Sequence, residues 1–273
     1  MITEWNKTAY NTKKAAEVFD HDTDLQAPEK EIFKLLQPDM RVLDIGIGTG
    51  RTTRHIHVRE YVGIDYSEAM INKAKQNFPD ADLRLCDARA LPFPDNSFDF
   101  VLFSFNGIDV VDPEDRIKIL SEMRRVSRAY VCFSSHNLLC IRKFFTVQLN
   151  RNLQRMWGSA KRAWRTIFAN GVYSQYVRSL RDDEAQKQAI LDLAAAGRDL
   201  AGLAQEPLHW KSYGILNEDN HFLKLQHYYI SPIAQKKQLA SLGLDLCAML
   251  GLDGREASVD CRDTWIYYLA KRK

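Results

Sequence analysis

Val42-Leu43-Asp44-Ile45-Gly46-Ile47-Gly48-Thr49-Gly50 decides how the rest of the chain is read. The first four residues form an apolar run broken only by Asp44, the pattern of a buried strand, and the run passes straight into three glycines at alternate positions. Glycine tolerates positive φ and puts no Cβ between the backbone and a ligand. A turn of this kind, at the carboxyl end of a first strand, is where doubly wound sheets bind nucleotide-like molecules. The dinucleotide pattern G-x-G-x-x-G would need glycine at position 51, and Arg51 stands there. Asp44 beside the loop would repel a pyrophosphate and suits an ammonium group better.

On either side of this loop, short apolar runs alternate with amphipathic stretches. Arg41–Ile45, Tyr61–Asp65, Leu83–Cys86, Phe98–Phe105 and Ala129–Phe133 read as buried strands. Ser67–Asn77 places Met70, Ile71 and Ala74 on one helical face, and Pro113–Val126 does the same with Ile119, Leu120, Met123 and Val126. Alternation of strands and helices predicts a parallel sheet covered on both faces. After Asn137 the rhythm stops, and the chain to about Gln226 has a helical composition. The pattern resumes with a helix from Ser231-Pro232 to Leu242, closed by Gly243, and strand-like runs at Leu244–Leu250 and Thr264–Ala270. Pro in a first turn and Gly just past the last are the expected punctuation. The predicted fold is therefore α/β: a doubly wound, mainly parallel seven-stranded sheet with a helical insertion after the fifth strand. Its core is residues 1–136, completed by 227–273, and the insertion is 137–226.

Two further acids lie where the predicted sheet would present them. Asp65 ends the second strand, where a carboxylate can accept from both ribose hydroxyls; the competing role is capping of the helix that begins at Ser67. Asp87 follows the third strand, placed to accept from an adenine amino group or to cap the next turn.

As a set, VLDIGIGTG, YVGIDYSEAM and CDARALPFPDNSFDFV resemble the class I S-adenosylmethionine-dependent methyltransferases, in their small-molecule branch. The resemblance covers about residues 40–135 and implies a Rossmann-like fold with S-adenosylmethionine as cofactor. It implies Asp44, Gly46, Gly48 and Gly50 around the methionine portion, Asp65 on the ribose, and Asp87 with Ala88 near the adenine. Ser104 would line the methionine end, and Trp5 or Tyr10 would cover the cofactor from upstream. One departure stands out: the glycine-rich turn usual before the fifth strand is replaced by Val126-Ser127-Arg128-Ala129.

The cofactor brings an activated methyl group, so the protein must chiefly align a nucleophile and exclude water. For a hydroxyl acceptor a general base helps. His136 is the first candidate, because it leaves the fifth strand toward the expected cleft; Asp109 is the second, with His221 and His227 below them. Any single histidine can equally be a structural, hydrogen-bonded residue.

The 273 residues carry 38 Lys and Arg against 35 Asp and Glu, an ordinary globular balance. Between Arg142 and Arg181, however, nine basic residues meet no acid, leaving 29 basic and 35 acidic groups elsewhere. Aromatics including Trp157, Trp164 and Tyr173 are interleaved with them. This basic segment is read as a lid for a small-molecule or glycan-type acceptor, anionic ones included. Rest on an acidic membrane surface or stacking on nucleic acid compete with it, as does a plain solvated helix face. Nucleic acid ranks low, since the rest of the chain is acidic. Five scattered cysteines and a charged N-terminus point to the cytoplasm, and no spacing of His, Cys or acids marks a metal site. The expected activity is methyl transfer, to oxygen. The alternatives are a nicotinamide-dependent oxidoreductase, which Arg51 opposes, and a cofactor-binding scaffold without turnover.

Overall fold

The computed structural model describes residues 2–21, 23–140, 213–220 and 223–273. Its frame is five parallel strands in the order β3-β2-β1-β4-β5: β1 Arg41–Ile45, β2 Glu60–Asp65, β3 Asp82–Leu85, β4 Phe98–Phe103 and β5 Ser127–Asn137. In β1, Val42, Leu43, Asp44 and Ile45 are all buried, as a central strand covered on both faces requires. Helices α1 Ile2–Tyr10, α2 Lys13–Phe19, α3 Ala27–Phe33, α4 Glu68–Asn77 and α5 Pro113–Val126 pack around this frame. The faces they bury include those the spacing predicted: Met70, Ile71 and Ala74 on α4, and Ile119, Leu120, Met123 and Val126 on α5. Ser67 caps α4 by accepting from the Met70 N–H at 3.2 Å.

At the C-terminal end, α6 Pro232–Ser241 leads through Gly243, at φ +69°, into β8 Leu244–Leu250. Strand β9 Trp265–Arg272 then inserts antiparallel between β5 and β8. The open Rossmann-like sheet thus contains the seven predicted strands, to which a hairpin adds two, making nine among the described residues. Its main core gathers Leu43, Ile64, Val101, Leu120, Phe133 and Tyr268 with their neighbours.

Two differences from the sequence reading matter for the site. First, β6 Tyr213–Asn220 and β7 Leu223–Ile230 form an antiparallel hairpin, although these residues up to 226 were expected within a helical insertion. Asn217-Glu218-Asp219-Asn220 is poor strand sequence, and pairing with β7 overrides local preference there. Residues 141–212 and 221–222 of that insertion, with its basic segment and His221, lie outside the described residues. Second, β5 runs four residues past Phe133. Beyond the end of β4, its vacated edge is taken at His136 and Asn137 by Tyr229 and Ile230 of β7, while Trp265 of β9 pairs with His136 on the other side. The missing glycine turn is bypassed: α5 passes directly into β5, with Ser127 as both helix C-cap and first strand residue.

The five cysteines Cys86, Cys132, Cys140, Cys247 and Cys261 are free thiols. Among the described residues no helix is long and apolar enough to cross a membrane, and no three metal-ligating side chains cluster.

Candidate functional site

Because β1 to β5 are parallel, their carboxyl ends share one rim of the sheet. The glycine loop leaves β1 at this rim. Gly46, Gly48 and Gly50 have φ of +67°, +57° and +98°, the left-handed region that disfavours side chains. The space beside them differs. A Cβ on Gly46 would meet the Phe103 ring at 2.4 Å, and one on Gly50 the Phe78 ring at 2.5 Å, whereas one on Gly48 would meet nothing within 4 Å. The backbone is thus open at Gly48, where a ligand can approach it.

Asp65 sits under this opening. Its Oδ2 accepts from the Gly48 N–H at 2.9 Å and its Oδ1 from the Ser67 N–H at 2.8 Å. Burial pushes its pKa up to about 6, against the pull of those N–H groups. The Tyr66 N–H also draws on this carboxylate, which leaves one of its four lone-pair sites for a hydroxyl.

Asp44 faces inward beneath the loop, accepting from Thr52 Oγ1 at 2.6 Å and Tyr61 Oη at 3.0 Å. Burial lifts its pKa to about 7 despite those bonds. Ser104, at the end of β4, is also engaged: it bonds the Glu29 carboxylate and lies 3.1 Å from the Tyr267 hydroxyl. Asp87 is held by Arg89 through both oxygens, and Ala88 is buried in the main core. Tyr10 packs its ring 5.7 Å from Phe19, and its carbonyl accepts from Ser67 Oγ, so it does border the Asp65 end of the rim. Trp5 is 55% exposed.

A buried ion pair that the sequence reading missed braces the loop. Arg51 donates to both oxygens of Glu29, at 2.7 Å to Oε2, and its guanidinium lies 4.7 Å from the centre of the Phe105 ring. Burial alone would raise the pKa of Glu29; the Arg51 bonds and charge, with Ser104, hold it below its ordinary value. Arg51, where a dinucleotide site has glycine, is therefore a structural partner of α3.

The two residues proposed for catalysis from sequence come together. His136 Nδ1 lies 3.1 Å from Asp109 Oδ2, and the His136 backbone N–H donates to the same oxygen at 2.6 Å. The other oxygen, Oδ1, accepts from Ser135 Oγ at 2.9 Å and Arg116 Nε at 3.2 Å. Asp109 is fully buried and both its oxygens are engaged, so it stands behind His136. Arg116, also fully buried, is fixed by Gln235 and Gln238 of α6 and lies over the Tyr228 ring at 4.7 Å.

With its Nδ1 proton directed to Asp109, the imidazole keeps a lone pair at Nε2, which the Asn106 amide Nδ2 faces at 3.5 Å. Around it stand aromatic side chains: His227 stacked at 4.8 Å, Tyr229 at 4.8 Å and Trp265 edge-on at 6.4 Å. Trp265 also meets Phe105 edge-on at 6.0 Å. Contacts therefore run without a break from Arg51 through Phe105 and Trp265 to His136. Arg116 carried a legible signal, being a charge at helical spacing from Ile119, Leu120 and Met123 on the buried stripe of α5. Glu29, Asn106 and Trp265 carried none, since only the fold makes them neighbours.

A protein-family model described as a methyltransferase domain matches residues 42–129, the glycine loop through the start of β5. The chain carries a class I methyltransferase domain. Its sequence is 41% identical over 93 residues to a demethylmenaquinone methyltransferase of Renibacterium salmoninarum, a match covering 33% of this chain and 38% of that one. Over 95 residues it is 39% identical to a phosphatidylethanolamine N-methyltransferase of Cereibacter sphaeroides, covering 32% and 45%. The matched stretch spans less than half the length of these relatives. In fold the likeness extends over nearly the whole chain. The CcbJ methyltransferase from Streptomyces caelestis superimposes with a TM-score of 0.56 at 13% identity, covering 97% of this chain and 98% of that one.

Proposed function

We propose that this chain is an S-adenosylmethionine-dependent methyltransferase that methylates a hydroxyl of a planar small molecule, with His136 as general base. The observation that carries this is the Asp109–His136 pair, set at the same rim of the sheet as the glycine loop.

The rim fits the cofactor. Open backbone at Gly48, flanked by Gly46 and Gly50, gives the nucleoside room, and Asp65 keeps acceptor capacity for a ribose hydroxyl. Asp87 and Ala88 lie on the adenine side, and Tyr10 borders the Asp65 end. Asp44 and Ser104 support the loop and the end of β4 from within, and neither is assigned a direct contact. When bound, the cofactor supplies a methyl group already activated by its sulfonium.

What this chain adds is proton transfer and alignment. His136 Nε2 takes the proton of the acceptor hydroxyl as the oxygen becomes nucleophilic. Asp109 holds the ring in the tautomer that leaves Nε2 free and stabilises the imidazolium that forms. The aromatic walls from Tyr229, Trp265 and Phe105 favour a flat ring as acceptor over the glycan-type or anionic molecule expected from the basic segment.

Methylation at ring carbon is the second reading. Among the relatives are ubiquinone/menaquinone biosynthesis C-methyltransferases, and the same base would make a phenolate whose charge is shared with ring carbon. The position of label in the product separates the two.

Calorimetric titration with S-adenosylmethionine, S-adenosylhomocysteine and NAD tests the reading. Binding of both adenosyl compounds, lost in Asp65→Ala, is the expected result; binding of NAD alone would overturn it.

A further inference from the structure

Strand β7 turns an aromatic run toward the base and toward the ion pair behind it. His136 and Tyr229 are paired residues of the parallel strands β5 and β7, so their side chains share one face of the sheet, and His227, two residues back, shares it too. The His227 ring lies 4.8 Å from that of His136 with the planes 18° apart, a stack; the Tyr229 ring lies at 4.8 Å, tilted by 36°. Tyr228, between them in sequence, carries the Arg116 guanidinium over its ring at 4.7 Å. The strand therefore already holds one cation against an aromatic face.

Proton transfer to His136 makes a second cation in a place that water hardly reaches, since the residue is 9% exposed. Asp109 bonds Nδ1, but it also pairs with Arg116, and those two ions together are neutral. A proton arriving at Nε2 therefore leaves a net positive charge. The groups that face the ring are Asp109 with Arg116 behind it, the Asn106 amide, His227 and Tyr229 of β7, and Trp265 of β9. Both ring nitrogens are taken up in the plane, one by Asp109 and one by the proton transfer, which leaves the faces of the ring for further stabilisation. Two imidazolium rings stacked this closely would repel, so only one is charged at a time, and the bond to Asp109 places the charge on His136.

We infer that His227 is a positioning residue for the base: its uncharged ring, stacked on His136, holds the imidazole in place and stabilises the imidazolium that forms when the acceptor hydroxyl gives its proton to Nε2. A cation against an aromatic face gains most where water is excluded. This rests on the methyltransferase reading above and adds to it a second histidine with a different task from the first. Among the sequence candidates for the base, His227 then takes part as a ring face and not as a proton acceptor.

Nuclear magnetic resonance of the full chain, carrying isotope-labelled histidine and saturated with S-adenosylhomocysteine, tests this without an acceptor. The ring signals of His136 and His227 are assigned by their loss in His136→Gln and in His227→Phe, then followed over pH. His136 is expected to gain its proton while His227 stays neutral. His227→Phe, which keeps a ring face, should leave the His136 midpoint within about 0.3 pH unit of the native one, whereas His227→Leu, which fills the space without a ring, should lower it by about 1 unit, a proton held about tenfold less tightly. A His227 that is protonated before His136 in the native chain would overturn the inference, and that result needs no variant to fold. So would a His136 midpoint that is the same in the phenylalanine and leucine variants. Failure to bind S-adenosylhomocysteine would overturn the methyltransferase reading instead, and the same titration on the unliganded chain would still decide the role of His227.

Discussion

His136 and Asp109, 27 residues apart in sequence, share one carboxylate oxygen twice over: Oδ2 of Asp109 accepts from both the ring Nδ1 and the backbone N–H of His136. The double contact fixes ring and strand together, so the orientation of Nε2 is set by β5 itself.

Removal of this base should show in turnover and not in cofactor binding. His136→Ala is expected to lower kcat by about 10²- to 10⁴-fold, the usual contribution of a positioned acid or base. The affinity for S-adenosylmethionine, measured calorimetrically, should change less than twofold. Unaltered kcat would exclude His136 from the proton transfer.

Arg116 and Asp109 form an ion pair in which both side chains are fully buried, and Gln235 and Gln238 complete the bonding of the arginine. Replacing one member leaves the other charge buried without its partner. Arg116→Met should therefore cost about 3 kcal/mol, read as a lowered midpoint of urea unfolding. A midpoint within error of the native one would show that Asp109 is adequately held by Ser135 and His136 alone.

Gly46 and Gly48 share a left-handed backbone but differ in what lies beside them. Alanine at 46 would strike the Phe103 ring, so Gly46→Ala should destabilise by about 2–4 kcal/mol through crowding and strain together. Alanine at 48 points into open space and should cost only about 1 kcal/mol from the backbone. Its methyl would instead occupy the ligand's approach and weaken S-adenosylmethionine binding severely. Thermal unfolding and calorimetry on the two variants separate these effects, and equal cofactor affinity in Gly48→Ala and the native chain would move the ligand elsewhere.

Stability should fall as pH rises toward neutrality, and Asp44 is the main reason. Burial pushes its pKa up to about 7 in the folded chain, against about 3.9 when unfolded. Between those values the folded state holds the extra proton. The stabilisation is complete below about pH 4 and is lost as pH climbs through about 7, a change on the order of 4 kcal/mol. Asp65, pushed up to about 6, adds in the same direction. Asp44→Asn keeps a side-chain oxygen for Thr52 and Tyr61 but cannot ionise. Its urea midpoint should vary less between pH 5 and pH 8 than that of the native chain; an equal variation would place the titration on other groups.

By itself the sequence determined the sheet's parallel frame, the loop with its three glycines, the buried faces of α4 and α5, and the acids at the strand ends. These are local matters: apolar periodicity and glycine's freedom at positive φ act over a few residues and leave a readable pattern. Tertiary structure alone decided what those residues touch. Asp44 and Ser104 read as cofactor contacts, yet packing turns the first toward Thr52 and Tyr61 and the second toward Glu29 and Tyr267. The hairpin of β6 and β7 escaped notice because its strands gain their stability from each other and from the far end of β5, not from their own preferences. The bond between Asp109 and His136, the ion pair of Glu29 with Arg51, and the stack of His227 on His136 all join residues from different elements. No spacing rule relates them, since the distances that matter are set across the sheet and not along the chain.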